Sequence, residues 1–171
     1  MRYLPYILLF LMTVSELSDL LDGYIARKYN QVSDFGKIFD PMADSIARLS
    51  VFLTFTLPPV YMSMWLIFVL LYRDAVISTL RTICALRGFA LAARPSGKIK
   101  AVVQAVAAFA ILLLMIPYSL GYLSQHALHV SALYIVGAAC IYTLFSGVDY
   151  IYAHREHIKK LLVTSKRKAD A

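Results

Sequence analysis

Apolar residues gather into five long runs separated by short polar breaks. The first extends from about Tyr3 to Ile25, the second from about Gly36 to Leu57 and the third from Val60 to about Ile83. The fourth extends from about Ala101 to Tyr118 and the fifth from about Val130 to Tyr152. Each comes near the roughly 20 residues a helix needs to cross a hydrocarbon layer. Helical periodicity within the runs is weak, as expected when both faces of a helix meet apolar surroundings. Pro58-Pro59 closes the second run, and Pro41 is expected to kink or restart the helix that contains it. The pattern predicts an all-α, polytopic transmembrane helix bundle with five spans. It forms one membrane domain over 1–171, with a basic tail over 153–171. No repeat, low-complexity tract or linker divides the chain.

Composition supports the bilayer as solvent: 60% of the 171 residues are hydrophobic, well above the apolar share of a soluble domain, and mean hydropathy is +0.68. The net charge of +7 and pI near 9.5 then fit cytoplasmic membrane edges that face anionic lipid. A nucleic-acid-binding module is excluded, because no basic and aromatic surface fits so apolar a chain. Cys84 and Cys140 lie far apart in apolar runs without ligand spacing, and are read as packing residues. The apolar start lacks a cleavage site and leads straight into Asp19, so it is not read as a signal peptide.

The basic residues also orient the spans. Arg27, Lys28 and Lys37 flank the first connection, and Arg87, Arg94, Lys98 and Lys100 fill the third. Arg155, Lys159, Lys160, Lys166, Arg167 and Lys168 crowd the tail, while the second and fourth connections have neither Lys nor Arg. The positive-inside rule places the rich side in the cytoplasm. Five crossings with a cytoplasmic tail put Arg2 on the far side, and one more helix upstream would repair that imbalance.

Against this apolar background, four aspartates stand in one register: Asp19-Leu-Leu-Asp22-Gly23-Tyr-Ile-Ala26-Arg27, then eight residues, then Gly36-Lys-Ile-Phe-Asp40-Pro-Met-Ala-Asp44. One carboxylate at the centre of a membrane helix costs roughly 2.5–3.5 kcal/mol, so the group calls for cations. On helices, Asp19 and Asp22 stand about 4.5 Å apart along the axis, and Asp40 and Asp44 about 6 Å. The short connection makes the two helices neighbours, so the two pairs can converge on one or two hard divalent cations. Two such ions clamp a phosphoryl group in an in-line displacement. Gly23, Ala26 and Gly36 leave room for a nucleotide or pyrophosphate, and Arg27 presents a planar fork to a phosphate. A second polar set comprises Arg73, Asp74, Arg81, Arg87, Arg94, Lys98 and Lys100. Snorkelling accounts for Arg87 and Arg94, whereas Arg73 is deep enough to need an interior partner. His154 and His157 are read as interfacial.

The register DxxDGxxAR…GxxxDxxxD resembles the signature of the CDP-alcohol phosphatidyltransferases at all eight defining positions. Its surroundings are similar to the bacterial phosphatidylglycerophosphate synthases. They include Arg73-Asp74-Ala-Val-Ile-Ser-Thr-Leu-Arg81, Ser96-Gly97-Lys98-Ile-Lys100 with Gln104, and Thr143-Leu-Phe-Ser146-Gly147-Val-Asp-Tyr150. The resemblance spans about Ser15 to Tyr152 and implies six transmembrane helices, CDP-diacylglycerol as donor and two Mg²⁺ or Mn²⁺ ions. It implies that Asp19, Asp22 and Asp40 hold metals, and that Asp44 completes the second site and serves as general base. Gly23, Ala26, Arg27 and Gly36 would receive cytidine and pyrophosphate. Glycerol 3-phosphate is the acceptor in the most similar subgroup, with Arg73, Arg81, Lys98 and Lys100 as candidates for its phosphate. The resemblance also implies a homodimer among membrane lipids, in a bacterial inner membrane with the site toward the cytoplasm. The Asn-x-Leu-Thr-x-x-Arg helix with which members usually begin has no match here, so this chain either lacks that helix or is a shortened relative. Other acceptors (serine, inositol, inositol phosphate or phosphatidylglycerol), a carboxylate-lined transporter and an inactive structural subunit are the alternatives.

Overall fold

A computed structural model describes residues 3–29, 34–86, 94–156 and 158, apart from the side chains at 19, 20, 22, 26, 27 and 34–41. It contains α1 (Leu4–Lys28), α2 (Asp34–Thr54), α3 (Met64–Leu86), α4 (Pro95–Ser119) and α5 (Gln125–Ala153), with no strand among the described residues. The five helices match the five apolar runs, with boundaries extended by their polar ends. α2 is a single helix across position 41, so the expected break at Pro41 does not occur.

The α4–α5 pair forms the centre, α3 packs on α5, α1 on α4, and α2 against α3 and α4. Small and aliphatic residues fill the seams: Leu70 of α3, Ala108, Ile111 and Leu112 of α4, and Leu128, Ala132 and Val136 of α5 are all essentially inaccessible. Large apolar side chains point outward instead, with Phe10, Trp65, Tyr134 and Ile141 each more than two-thirds exposed. Such an inside-out distribution needs lipid around it, since exposed apolar area on this scale is not tolerated in water. Three helices, α1, α4 and α5, are long and apolar enough to cross a membrane. α2 and α3 fall short because they carry Asp44 and Arg48, and Arg73, Asp74 and Arg81, all turned to some degree toward the bundle interior.

The connections have local causes. After α2, the chain turns at Pro58-Pro59 and sends Val60 and Met62 back into the core, with Met62 N–H donating to Phe55 O at 2.9 Å. α4 ends at Gly121, whose φ of +83° is the left-handed conformation that glycine tolerates best. Ser124 then caps α5, its side chain accepting from the Ala127 N–H at 3.2 Å.

Candidate functional site

Two polar centres lie where the helices converge. The first is a cleft between α1 and α2. These helices are consecutive, yet among the described residues each packs mainly on other helices, leaving a cavity of about 300 Å³ with Leu112 of α4 at its floor. Asp44 and Arg48 of α2 line one wall, and Ser15 and Glu16 of α1 line the other. Leu8, Leu11, Met12, Val51 and Phe55 make most of the remaining lining, so the cleft has a polar mouth and an apolar depth. Asp44 is half-buried, and Gly23 is half-buried on α1. Asp19, Asp22, Ala26, Arg27, Gly36 and Asp40 lie outside the described side chains. Among the described residues, no group of three His, Cys, Asp or Glu side chains is positioned to hold a metal ion.

The second centre joins α3, α4 and α5. Lys100 is buried, and its Nζ donates to both carboxylate oxygens of Asp74 at 2.7 and 2.8 Å. Arg73 Nη1 donates to Asp74 Oδ1 at 3.1 Å and its Nη2 to Ser146 Oγ at 2.8 Å. One turn of α4 beyond Lys100, Gln104 Nε2 donates to Thr143 Oγ1 at 3.2 Å. Arg81 lies over the Tyr150 ring, 5.4 Å from its centroid, and donates from Nε to the Tyr150 hydroxyl at 3.2 Å. At the mouth of α4, Ser96 Oγ donates to Asp149 Oδ2 at 2.6 Å, beside the ion pair of Arg94 and Asp149.

This arrangement is under-compensated. Arg73 and Lys100 share a single carboxylate, and the buried Arg73 Nε has no hydrogen-bond partner among the described residues. The Arg48 cation of the α1–α2 cleft also lies within electrostatic range of Lys100, so the two centres adjoin. Several cations around one aspartate in a low-dielectric interior favour a further anion. Ser146 and Gly147 let α5 approach closely: a Cβ at Gly147 would stand 3.2 Å from Arg73 Cγ.

The candidates from sequence divide accordingly. Arg73, Arg81 and Lys100 all reach the second centre, whereas Lys98, two residues before Lys100 on the same helix, is exposed. A two-residue step turns a helix by more than half a revolution, so both lysines cannot face the interior. Arg94 is held by Asp149 in addition to reaching the surface, and Arg87 and His157 lie outside the described residues. His154 bonds back to Tyr150 O at 2.9 Å, and Cys84 and Cys140 are buried and unlinked. Sequence reasoning passed over Glu16 and Arg48. Their spacing from the motif, three residues before Asp19 and four after Asp44, was the available signal.

The family model for CDP-alcohol phosphatidyltransferases matches residues 2–146. The CDP-diacylglycerol–glycerol-3-phosphate 3-phosphatidyltransferase of Bacillus subtilis is 34% identical over 152 residues, covering 87% of this chain and 74% of that protein. A probable phosphatidylglycerophosphate synthase of Mycobacterium tuberculosis is 33% identical over 139 residues, covering 79% of this chain and 59% of that protein. The CMP-forming cardiolipin synthase of Streptomyces coelicolor is 36% identical over 81 residues, 47% of this chain and 37% of that protein.

Proposed function

The chain belongs to the CDP-alcohol phosphatidyltransferase family, and from that premise we propose that it transfers the phosphatidyl group of CDP-diacylglycerol to glycerol 3-phosphate. The products are phosphatidylglycerophosphate and CMP. The name of the Bacillus subtilis relative states this donor and this acceptor. The observation that carries the acceptor is the buried Arg73–Asp74–Lys100 cluster, a fixed cationic site for a phosphate beside the cleft that Asp44 lines.

The donor set suits hard divalent ions: Asp44 faces a cleft whose opposite wall carries Ser15 and Glu16, an all-oxygen environment. Asp19, Asp22, Asp40 and Asp44 would hold two Mg²⁺ or Mn²⁺ ions. Position 40 stands one helical turn before Asp44 on α2, and positions 19 and 22 follow Glu16 on α1. When bound, such ions neutralise charge on the pyrophosphate of the donor. Gly23, Ala26, Arg27 and Gly36 receive the cytidine and its phosphates. Arg73 and Lys100, with Arg81 behind them, hold the phosphate of the acceptor and direct its free hydroxyl toward the cleft. Asp44 takes the hydroxyl proton, and the oxygen attacks the phosphorus attached to diacylglycerol. The bond from that phosphorus to the CMP oxygen breaks, and CMP leaves with the electron pair. The protein works as one membrane domain over 1–171 and as a homodimer. Its basic connections and the tail over 153–171 face the cytoplasm of a bacterial inner membrane.

A panel of radiolabelled acceptors, with purified protein and with or without divalent metal, tests the reading. CMP release is expected with glycerol 3-phosphate and metal, but not with serine, inositol, inositol phosphate or phosphatidylglycerol. Release with one of those and not with glycerol 3-phosphate would remove the acceptor assignment. Asp44→Asn is expected to lower turnover by roughly 10²–10⁴-fold while the donor still binds. A carboxylate-lined transporter would release no CMP in either form.

A further inference from the structure

Arg48 has no role in the scheme above, yet its Nε is buried and has no hydrogen-bond partner among the described residues. Buried donors are rarely left unpaired, and a bare guanidinium N–H facing a cavity points to a missing acceptor. The hydroxyls on the same wall do not fill this role: Ser50 Oγ donates to Ile46 O at 2.9 Å and Thr54 Oγ1 to Val51 O at 2.7 Å. Arg48 stands one turn beyond Asp44, about 6 Å farther from the cytoplasmic end of α2. It therefore marks the level at which the polar mouth of the cleft gives way to its apolar depth, lined by Leu8, Leu11, Met12, Val51 and Phe55.

A glycerolipid has the same order of chemistry. Its phosphate is followed, a few bonds on, by ester carbonyls that accept hydrogen bonds but carry no charge, and then by alkyl chains. Resting on the donor assignment above, we infer that the α1–α2 cleft takes the acyl portion of the donor lipid. Arg48 Nε–H then donates to an ester carbonyl of its glycerol backbone, making Arg48 a specificity-determining residue for diacyl over dialkyl donors. An ether oxygen at that level is a weaker acceptor and leaves the guanidinium poorly satisfied.

Equilibrium binding of CDP-diacylglycerol and its dialkyl ether counterpart to the full chain in lipid nanodiscs, without acceptor, tests this independently of turnover. The unaltered protein is expected to bind the diacyl form roughly tenfold more tightly, the worth of one hydrogen bond to a charged group. Arg48→Met is expected to bind both donors at the dialkyl level, and Arg48→Lys to keep part of the preference. Equal binding of both donors by the unaltered protein, or of neither, overturns the inference without recourse to a variant. So does an equal loss for both donors in Arg48→Met, the mark of a collapsed cleft. In turnover, Arg48→Met should leave KM for glycerol 3-phosphate unchanged, and a rise would move Arg48 to the acceptor cluster instead. A donor preference that persists without CMP release on adding glycerol 3-phosphate would count against the acceptor assignment alone and leave this inference standing.

Discussion

Asp74 accepts hydrogen bonds from both Lys100 and Arg73, and all three side chains are at most a tenth exposed. Removing one member of so buried a pair leaves an uncompensated charge, at a cost of about 3–5 kcal/mol. Lys100→Met should therefore lower the unfolding midpoint sharply, and adding Asp74→Asn should recover part of the loss. KM for glycerol 3-phosphate should stay raised in both variants, because the phosphate has lost Lys100 either way. A double variant with both stability and KM restored would make the cluster a structural ion pair only. The single-residue scale also explains why Lys98 and Lys100, equivalent by composition, have unlike fates: helix geometry turns one outward and the other onto Asp74.

At the scale of elements, α3 and α5 meet through a narrow fit. Arg73 crosses above Gly147 to reach Ser146, so the absence of a side chain at 147 sets the path of the guanidinium. Gly147→Ala would place a Cβ 3.2 Å from Arg73 Cγ, close enough that the arginine must shift. KM for glycerol 3-phosphate is expected to rise several-fold, with donor binding unchanged, in steady-state assays that vary each substrate separately. An unchanged acceptor KM would mean that Arg73 relaxes without leaving its phosphate. The α1–α2 cleft belongs to this scale as well. Their short connection implied neighbouring helices, and the structure adds that α1 leans on α4, which opens the space between them.

For the whole molecule, the issue is which way the bundle faces. Basic residues alternate from connection to connection, so the α4–α5 turn should lie outside and the end of α5 in the cytoplasm. Tyr122 in that turn is 85% exposed, and Arg155 lies just beyond α5. A membrane-impermeant thiol reagent is expected to label Tyr122→Cys in intact cells, and Arg155→Cys only after permeabilisation. The reverse pattern would place the site on the opposite face. Three helices carry the apolarity for crossing, and the two charged ones are held in place by their packing against these and each other.

Five apolar runs, the lipid-facing class and the aspartate register could be read directly from the chain, because length, hydropathy and residue spacing are properties of consecutive residues. The need of Arg73 for an interior partner was legible for the same reason: a charge that deep cannot remain bare. Which partner it found was not, since Asp74 adjoins it in sequence but Ser146 and Lys100 come from other helices. Only the packing of α3, α4 and α5 turned scattered cations into a cluster around one carboxylate, and only the lean of α1 onto α4 opened a cleft with Arg48 in its wall. Contacts between helices depend on their rotation and crossing, which weak periodicity in an apolar chain does not encode locally.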